Sequence, residues 1–182
     1  MKIFVISDTH GRTEKVTEVW AKLTNVDLVV HLGDYIEDAR RLEKELETEV
    51  VSVKGNMDGS YNSDDYRILE TEYGKLLLTH GHMDNVKMSP LNLVYRAEEL
   101  GCKAVLFGHT HRPAYEEAGG IYLVNPGSLS LPRDGSDGSY AIIHTSPEEF
   151  NCAIVYYSSL SPKKKPPSGG RLRQMLNYSD RF

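Results

Sequence analysis

Leu28-Val29-Val30-His31-Leu32-Gly33-Asp34 is the stretch on which the reading of the fold turns. It is a run of β-branched and aliphatic residues that leads into a glycine and then a carboxylate. The run reads as a buried strand. By itself the terminal aspartate is no more than a turn residue or the cap of the next helix. Its meaning depends on whether other strands of the chain end in the same way.

Working outward, Lys2-Ile3-Phe4-Val5-Ile6-Ser7 is a second strand with nearly continuous apolar character, the mark of burial on both faces. Between the two, Val16, Val19, Trp20 and Leu23 recur with helical spacing, so a helix is expected over 13–24. A charged amphipathic helix is expected over 36–46, with Ala39, Leu42 and Leu46 on one face, and a third strand over 50–53. Strand, helix, strand, helix, strand is the grammar of a parallel sheet.

After residue 66 the pattern changes. Residues 67–71 and 75–79 suggest a hairpin, and 89–100 a helix that Gly101 ends as a C-terminal cap. Residues 104–107 read as another buried strand, and 114–118, 121–124, 140–144 and 153–157 as antiparallel strands. An α/β first half and a β-rich second half, both apolar enough to be internal, point to two sheets packed face to face with helices outside. No internal repeat is visible.

The chain has 182 residues, 40% of them hydrophobic and 26% charged, which suits one soluble domain. No run approaches the ~18 apolar residues of a membrane span. Cys102 and Cys152 lack CxxC spacing and suit a reducing cytoplasm. Residues 163–182 carry a net charge of +5, leaving −10 on the remainder. An acidic body argues against a nucleic-acid surface, which needs clustered cations, and agrees with carboxylates that hold cations. Residues 161–170 are a Pro/Lys-rich linker by composition. Leu172, Met175 and Leu176 beyond it form a cluster expected to dock on the body or across a homo-oligomer interface.

The strand ends share a character. The first strand runs into Asp8-Thr9-His10, the second into Gly33-Asp34 and the third into Gly55-Asn56-Met57-Asp58. Two later strands lead to His80-Gly81-His82 and to Gly108-His109-Thr110-His111. Ligand sites in α/β sheets lie beyond the carboxyl ends of strands, and five of the seven histidines fall in these segments. If the chain stays extended, residues i and i+2 point the same way. Asp8 and His10 then face one ion together, as do His109 and His111. Imidazole, carboxylate and amide donors suit Mn, Fe, Zn, Co or Ni better than calcium.

Asp-x-His, Gly-Asp, Gly-Asn, His-Gly-His and Gly-His-x-His in this order resemble the motif series of the calcineurin-like metallophosphoesterase superfamily. The compact size resembles its small prokaryotic phosphodiesterase branch, the YfcE type, as do Asn125-Pro126-Gly127-Ser128 and Pro132-Arg133. The resemblance spans residues 1–157. It implies a four-layer α-β-β-α sandwich with two mixed β-sheets over residues 1–160, with residues 161–182 as linker and basic tail.

Carried over by motif, the resemblance implies a centre of two divalent transition-metal ions, manganese foremost. Asp8, His10, Asp34 and His111 would hold the first. Asn56, His80 and His109 would hold the second, with Asp34 bridging. Two ions ~3.5–4 Å apart can share a hydroxide and clamp a phosphoryl oxygen during in-line displacement. The implied activity is hydrolysis of a small phosphodiester in the cytoplasm, with no membrane association.

One position departs from the pattern. Much of the superfamily has a histidine after the Gly-Asn, thought to protonate the leaving group. Here Met57 stands there, and a thioether donates no proton. Asp58 or His82 is the candidate replacement, and His82 is also a candidate contact for the substrate phosphate. His31 reads as a supporting or core residue, His144 as structural and Arg133 as a surface arginine. Because general-acid help contributes ~10²–10⁴-fold, slower turnover or a preference for good leaving groups such as aryl phosphodiesters is expected. The same fold serves retromer as a non-catalytic scaffold with a degraded metal site. All seven ligand positions are competent here, which counts against that alternative, and a phosphomonoesterase would differ only in substrate.

Overall fold

A computed structural model describes residues 1–59 and 64–157. The expected linker and docking tail lie outside the described residues. Among the described residues ten strands form two five-stranded sheets. The first has the order β10 (Phe150–Tyr156), β9 (Ser139–Thr145), β1 (Lys2–Ile6), β2 (Leu28–His31), β3 (Val50–Ser52). The second has the order β4 (Tyr66–Glu70), β5 (Lys75–Thr79), β6 (Cys102–Phe107), β8 (Ile121–Pro126), β7 (Pro113–Ala118).

Alternation along the strands sorts the side chains into layers. Ile3, Val5, Leu28 and Val30 meet Leu76, Leu78, Ala104 and Leu106 in a dry core between the sheets. The intervening Phe4, Ile6 and Val29 turn outward onto α1 (Glu14–Trp20) and α2 (Ile36–Glu45), through Val16, Val19 and Leu42. On the far side Leu77, Val105 and Phe107 pack on Leu93, Val94 and Ala97 of α3 (Leu91–Leu100). The result is the expected four-layer α-β-β-α sandwich with two mixed sheets.

Three local expectations need correction. Helix α1 stops at Trp20 rather than near residue 24, and Lys22 and Leu23 close tight turns onto Val19 and Trp20. Helix α3 begins at Leu91, because Pro90 occupies its N-cap. The four late strands are not simply antiparallel. β8 pairs parallel with β6 and antiparallel with β7, while β9 returns to the first sheet antiparallel to β1. Amphipathic strands alone do not encode which neighbour they join.

Both cysteines are free, Cys102 buried and Cys152 half-buried. Among the described residues no helix is long and apolar enough to cross a membrane.

Candidate metal centre

The turns after β1, β2, β5 and β6 converge at one end of the two sheets, joined by the turn after β3. Their backbone is not the extended chain expected from the i, i+2 spacing. Asp8, His10, Asp34, His109 and His111 all have positive φ, between 49° and 67°. Aspartate and histidine tolerate this left-handed region better than most residues. Left-handed residues at alternate positions, Asp8 with His10 and His109 with His111, make both turns tight. Two glycines allow the turns to touch: a Cβ on Gly55 would collide with the Asp34 backbone and carboxylate, and one on Gly108 with Ser7 and Asp8.

Asp8, His10, Asp34 and His111 bring one ligand atom each to within 4.8 Å of one another. His111 Nε2 lies 3.2 Å from Asp8 Oδ1 and 3.3 Å from His10 Nε2. The His111 ring is aimed by its other nitrogen, which donates to the Leu131 carbonyl at 2.7 Å. Despite its neighbours, buried Asp8 Oδ1 takes no well-aligned hydrogen bond. A buried carboxylate oxygen with ring nitrogens crowded beside it is a coordination shell's donor set, and a divalent cation fits it.

A second group lies on the other side of Asp34. His80 donates Nδ1–H to the Leu32 carbonyl at 2.7 Å, and its Nε2 faces Asp34 Oδ1 and Asn56 Oδ1, each at 3.3 Å. The His109 ring centroid is 5.0 Å from that of His80. Asp34 therefore looks both ways, Oδ1 toward His80 and Oδ2 toward His10 at 3.6 Å. His82 sits beside this second group, its ring 5.4 Å from His80 and 6.1 Å from His109, with Nδ1 buried and unpartnered.

Mutual proximity sets the charges. Burial works to raise Asp34, but the hydrogen bond and charge of His80, with the Met57 N–H, hold it down at about 2. Burial likewise raises Asp8, and His111 and His80 outweigh it to leave it lowered. His80 and His111 are raised: burial opposes their protonation, but Asp34 and Asp8 respectively overcome it. Burial lowers His10 and His82, and takes His109 down to about 4 with the help of His80.

Asp58 does not have the setting of a proton donor. Its Oδ1 accepts from Ile36 N and its Oδ2 from Gly55 N, both at 2.7 Å. It is a buried carboxylate that ties the Asn56 turn to the start of α2. His31 is fully buried and serves a similar end. Gly33 N donates to its Nδ1 at 3.3 Å, which leaves Nε2–H to donate to Thr9 Oγ1 at 2.9 Å. Thr9 donates in turn to Asp38 Oδ2 at 2.6 Å, which also accepts from Gly11 N. The turns that carry Asp8, His10 and Asp34 are thus joined from behind.

The Asn125–Ser128 motif does the same work from the second sheet. Asn125 Nδ2 donates to the Gly108 carbonyl at 2.8 Å, and Ser128 Oγ to the Asp8 carbonyl at 2.9 Å. Ser130 also reaches Asp8 O, a role with no sequence signal beyond its nearness to this motif. Arg133 is exposed, as expected of a surface arginine, whereas His144, read as structural, is exposed on β9.

Residues 1–148 match the family model described as the calcineurin-like phosphoesterase superfamily domain. The chain belongs to the calcineurin-like phosphoesterase superfamily. Within that superfamily it is 40% identical over 144 residues to the probable metallophosphoesterase YsnB of Bacillus subtilis strain 168, covering 79% of this chain and 83% of YsnB. It is 30% identical over 169 residues to the phosphodiesterase YfcE of Escherichia coli K12, covering 79% and 87% of the two chains. A crystal structure of a predicted phosphoesterase from Streptococcus pneumoniae TIGR4 superposes with a TM-score of 0.73 at 31% identity, over 86% and 90% of the chains. Vps29 of Entamoeba histolytica in complex with zinc shares the fold, at TM-score 0.68 and 19% identity over 86% and 99%. The calcineurin-like phosphoesterase fold therefore brings its strand-end turns together here around an Asp/His cluster able to hold a divalent metal.

Proposed function

We propose that this chain is a metal-dependent phosphodiesterase whose centre takes two divalent ions. The observation that carries the reading is the two-sided setting of Asp34, with one oxygen toward His10 and the other toward His80. Asp8, His10, Asp34 and His111 hold the first ion, and Asn56, His80, His109 and Asp34 the second. When bound, such ions supply a water acidified to near-neutral pKa and neutralise charge on the phosphoryl oxygens. Manganese heads the candidates, with Ni, Co, Fe and Zn compatible with the same donors. The free cysteines suit a reducing cytoplasm.

The residues around the centre divide the remaining work. His82, half-buried beside His80, contacts a phosphate oxygen or the leaving group. Burial and the neighbouring His80 lower its pKa, which disfavours the protonated form that could serve as an acid. Met57 offers no proton. Leaving groups that depart with little help are therefore favoured.

The direct test is turnover of bis-p-nitrophenyl phosphate by protein loaded with Mn²⁺, abolished by a chelator and by Asp34→Ala. No turnover with Mn, Ni or Co would defeat the proposal. Comparison with p-nitrophenyl phosphate separates diester from monoester preference.

A scaffold role is the second reading, favoured by the fold shared with Vps29. The full set of donor side chains counts against it. Elemental analysis that finds no bound transition metal after reconstitution would favour the scaffold.

A further inference from the structure

Tyr35 follows Asp34 directly and is held at φ 76° and ψ 69°, the second left-handed residue in succession. Glycine or asparagine would sit there with less strain, since a bulky side chain is disfavoured in this region. The reason for a tyrosine must therefore lie in its ring. That ring meets the metal-ligand candidate His10 edge-on, with centroids 5.2 Å apart and planes at 60°. It also flanks Gly11, where an added Cβ would stand 3.8 Å from the tyrosine Cε1. Even so, 39% of Tyr35 remains exposed.

Neighbouring positions share this character. Met57, whose N–H holds Asp34, and Leu131, whose carbonyl aims His111, are also exposed apolar side chains. Each is joined through the backbone to a residue of the centre. The rim beside a strongly polar centre thus carries aromatic, thioether and aliphatic groups, a setting for an apolar portion of a ligand whose charged end is held inside.

We propose that Tyr35 is a specificity residue that packs against an aromatic ester arm of the substrate, so that aryl-type phosphoesters bind better than small alkyl ones. The proposal rests on the phosphoester reading above. A phosphoryl group at the centre lies one ligand ring away from Tyr35, and its substituent leaves phosphorus through a single oxygen. An aromatic arm then meets the tyrosine in an offset or edge contact.

The test measures binding rather than turnover, by calorimetry on the full chain loaded with Mn²⁺, with phenyl phosphate and methyl phosphate as probes. Wild type is expected to favour phenyl phosphate by roughly three- to tenfold. Tyr35→Phe keeps that preference. Tyr35→Asn, which suits the left-handed backbone, abolishes it while Mn²⁺ affinity and melting temperature hold or rise. No preference in wild type, or the same preference in Tyr35→Asn, would overturn the proposal. A preference that falls only together with Mn²⁺ affinity would overturn it too, since the ring would then be a cover for His10. If the binding preference stands but no phosphoester is turned over, the activity reading fails and the Tyr35 assignment survives.

Discussion

Met57 donates its backbone N–H to Asp34 Oδ1 at 3.0 Å, while its side chain stands 58% exposed. The backbone of this position is thus committed to orienting the candidate bridging carboxylate, and the side chain is free to vary. Met57→His should place an imidazole beside the centre without disturbing Asp34. The expected result is about 10–100-fold faster turnover of alkyl diesters, which need a proton on the departing oxygen, with little change for p-nitrophenyl esters. Steady-state rates on both substrate classes check this.

Asp58 should behave as a structural carboxylate. Asp58→Ala leaves the buried N–H groups of Ile36 and Gly55 without acceptors and is expected to destabilise the fold by about 2–4 kcal/mol. Denaturant unfolding reads the loss. The pH profile of the residual activity should keep its shape, whereas a proton-donor role would remove one limb of it.

Thr9→Val breaks the chain from His31 to Asp38 at its middle link. Two buried polar groups lose a partner, so a destabilisation of about 1–3 kcal/mol is expected. Metal affinity should fall as well, because the turns of Asp8, His10 and Asp34 are joined through this link. Thermal melts with and without Mn²⁺ separate the two effects: the metal-induced rise in Tm shrinks in the variant.

The strand ends were readable because each carries the same few residue types after an apolar run, and a parallel sheet delivers such ends to one place. The left-handed backbone at Asp8, His10, His109 and His111 was not readable, since Asp and His are also common in extended chain. The role of Asp58 was equally hidden, whereas the place of His31 inside an apolar strand already marked it as a supporting residue. A buried carboxylate that accepts two backbone N–H groups looks the same in sequence as one that donates a proton. The pairing of β8 parallel to β6 depends on a crossover, and the apolar alternation of residues 121–124 is the same for either direction. Tyr35 carried no signal at all, because only its φ of 76° sets it apart.

Acid and metal should act on the same groups. Asp34 is held at about 2 against an ordinary 3.8, so its contribution to the stability of metal-free protein is present above 3.8 and lost as pH falls toward 2. His80 is raised above 6.5, so its contribution is full below 6.5 and fades as pH rises through its folded value. Metal must displace protons from His80 and His111, both raised by their carboxylate neighbours. Mn²⁺ affinity should therefore increase with pH from 6 to 8, with proton release detected by calorimetry in buffers of different ionisation enthalpy.

The two-sided carboxylate of Asp34 is tested most directly by electron paramagnetic resonance of the chain titrated with Mn²⁺. Two ions sharing Asp34 give the exchange-coupled multiline signal of a manganese pair, lost in Asp34→Ala. A spectrum that shows only isolated Mn²⁺ at saturation, or no bound manganese, would contradict a two-metal centre.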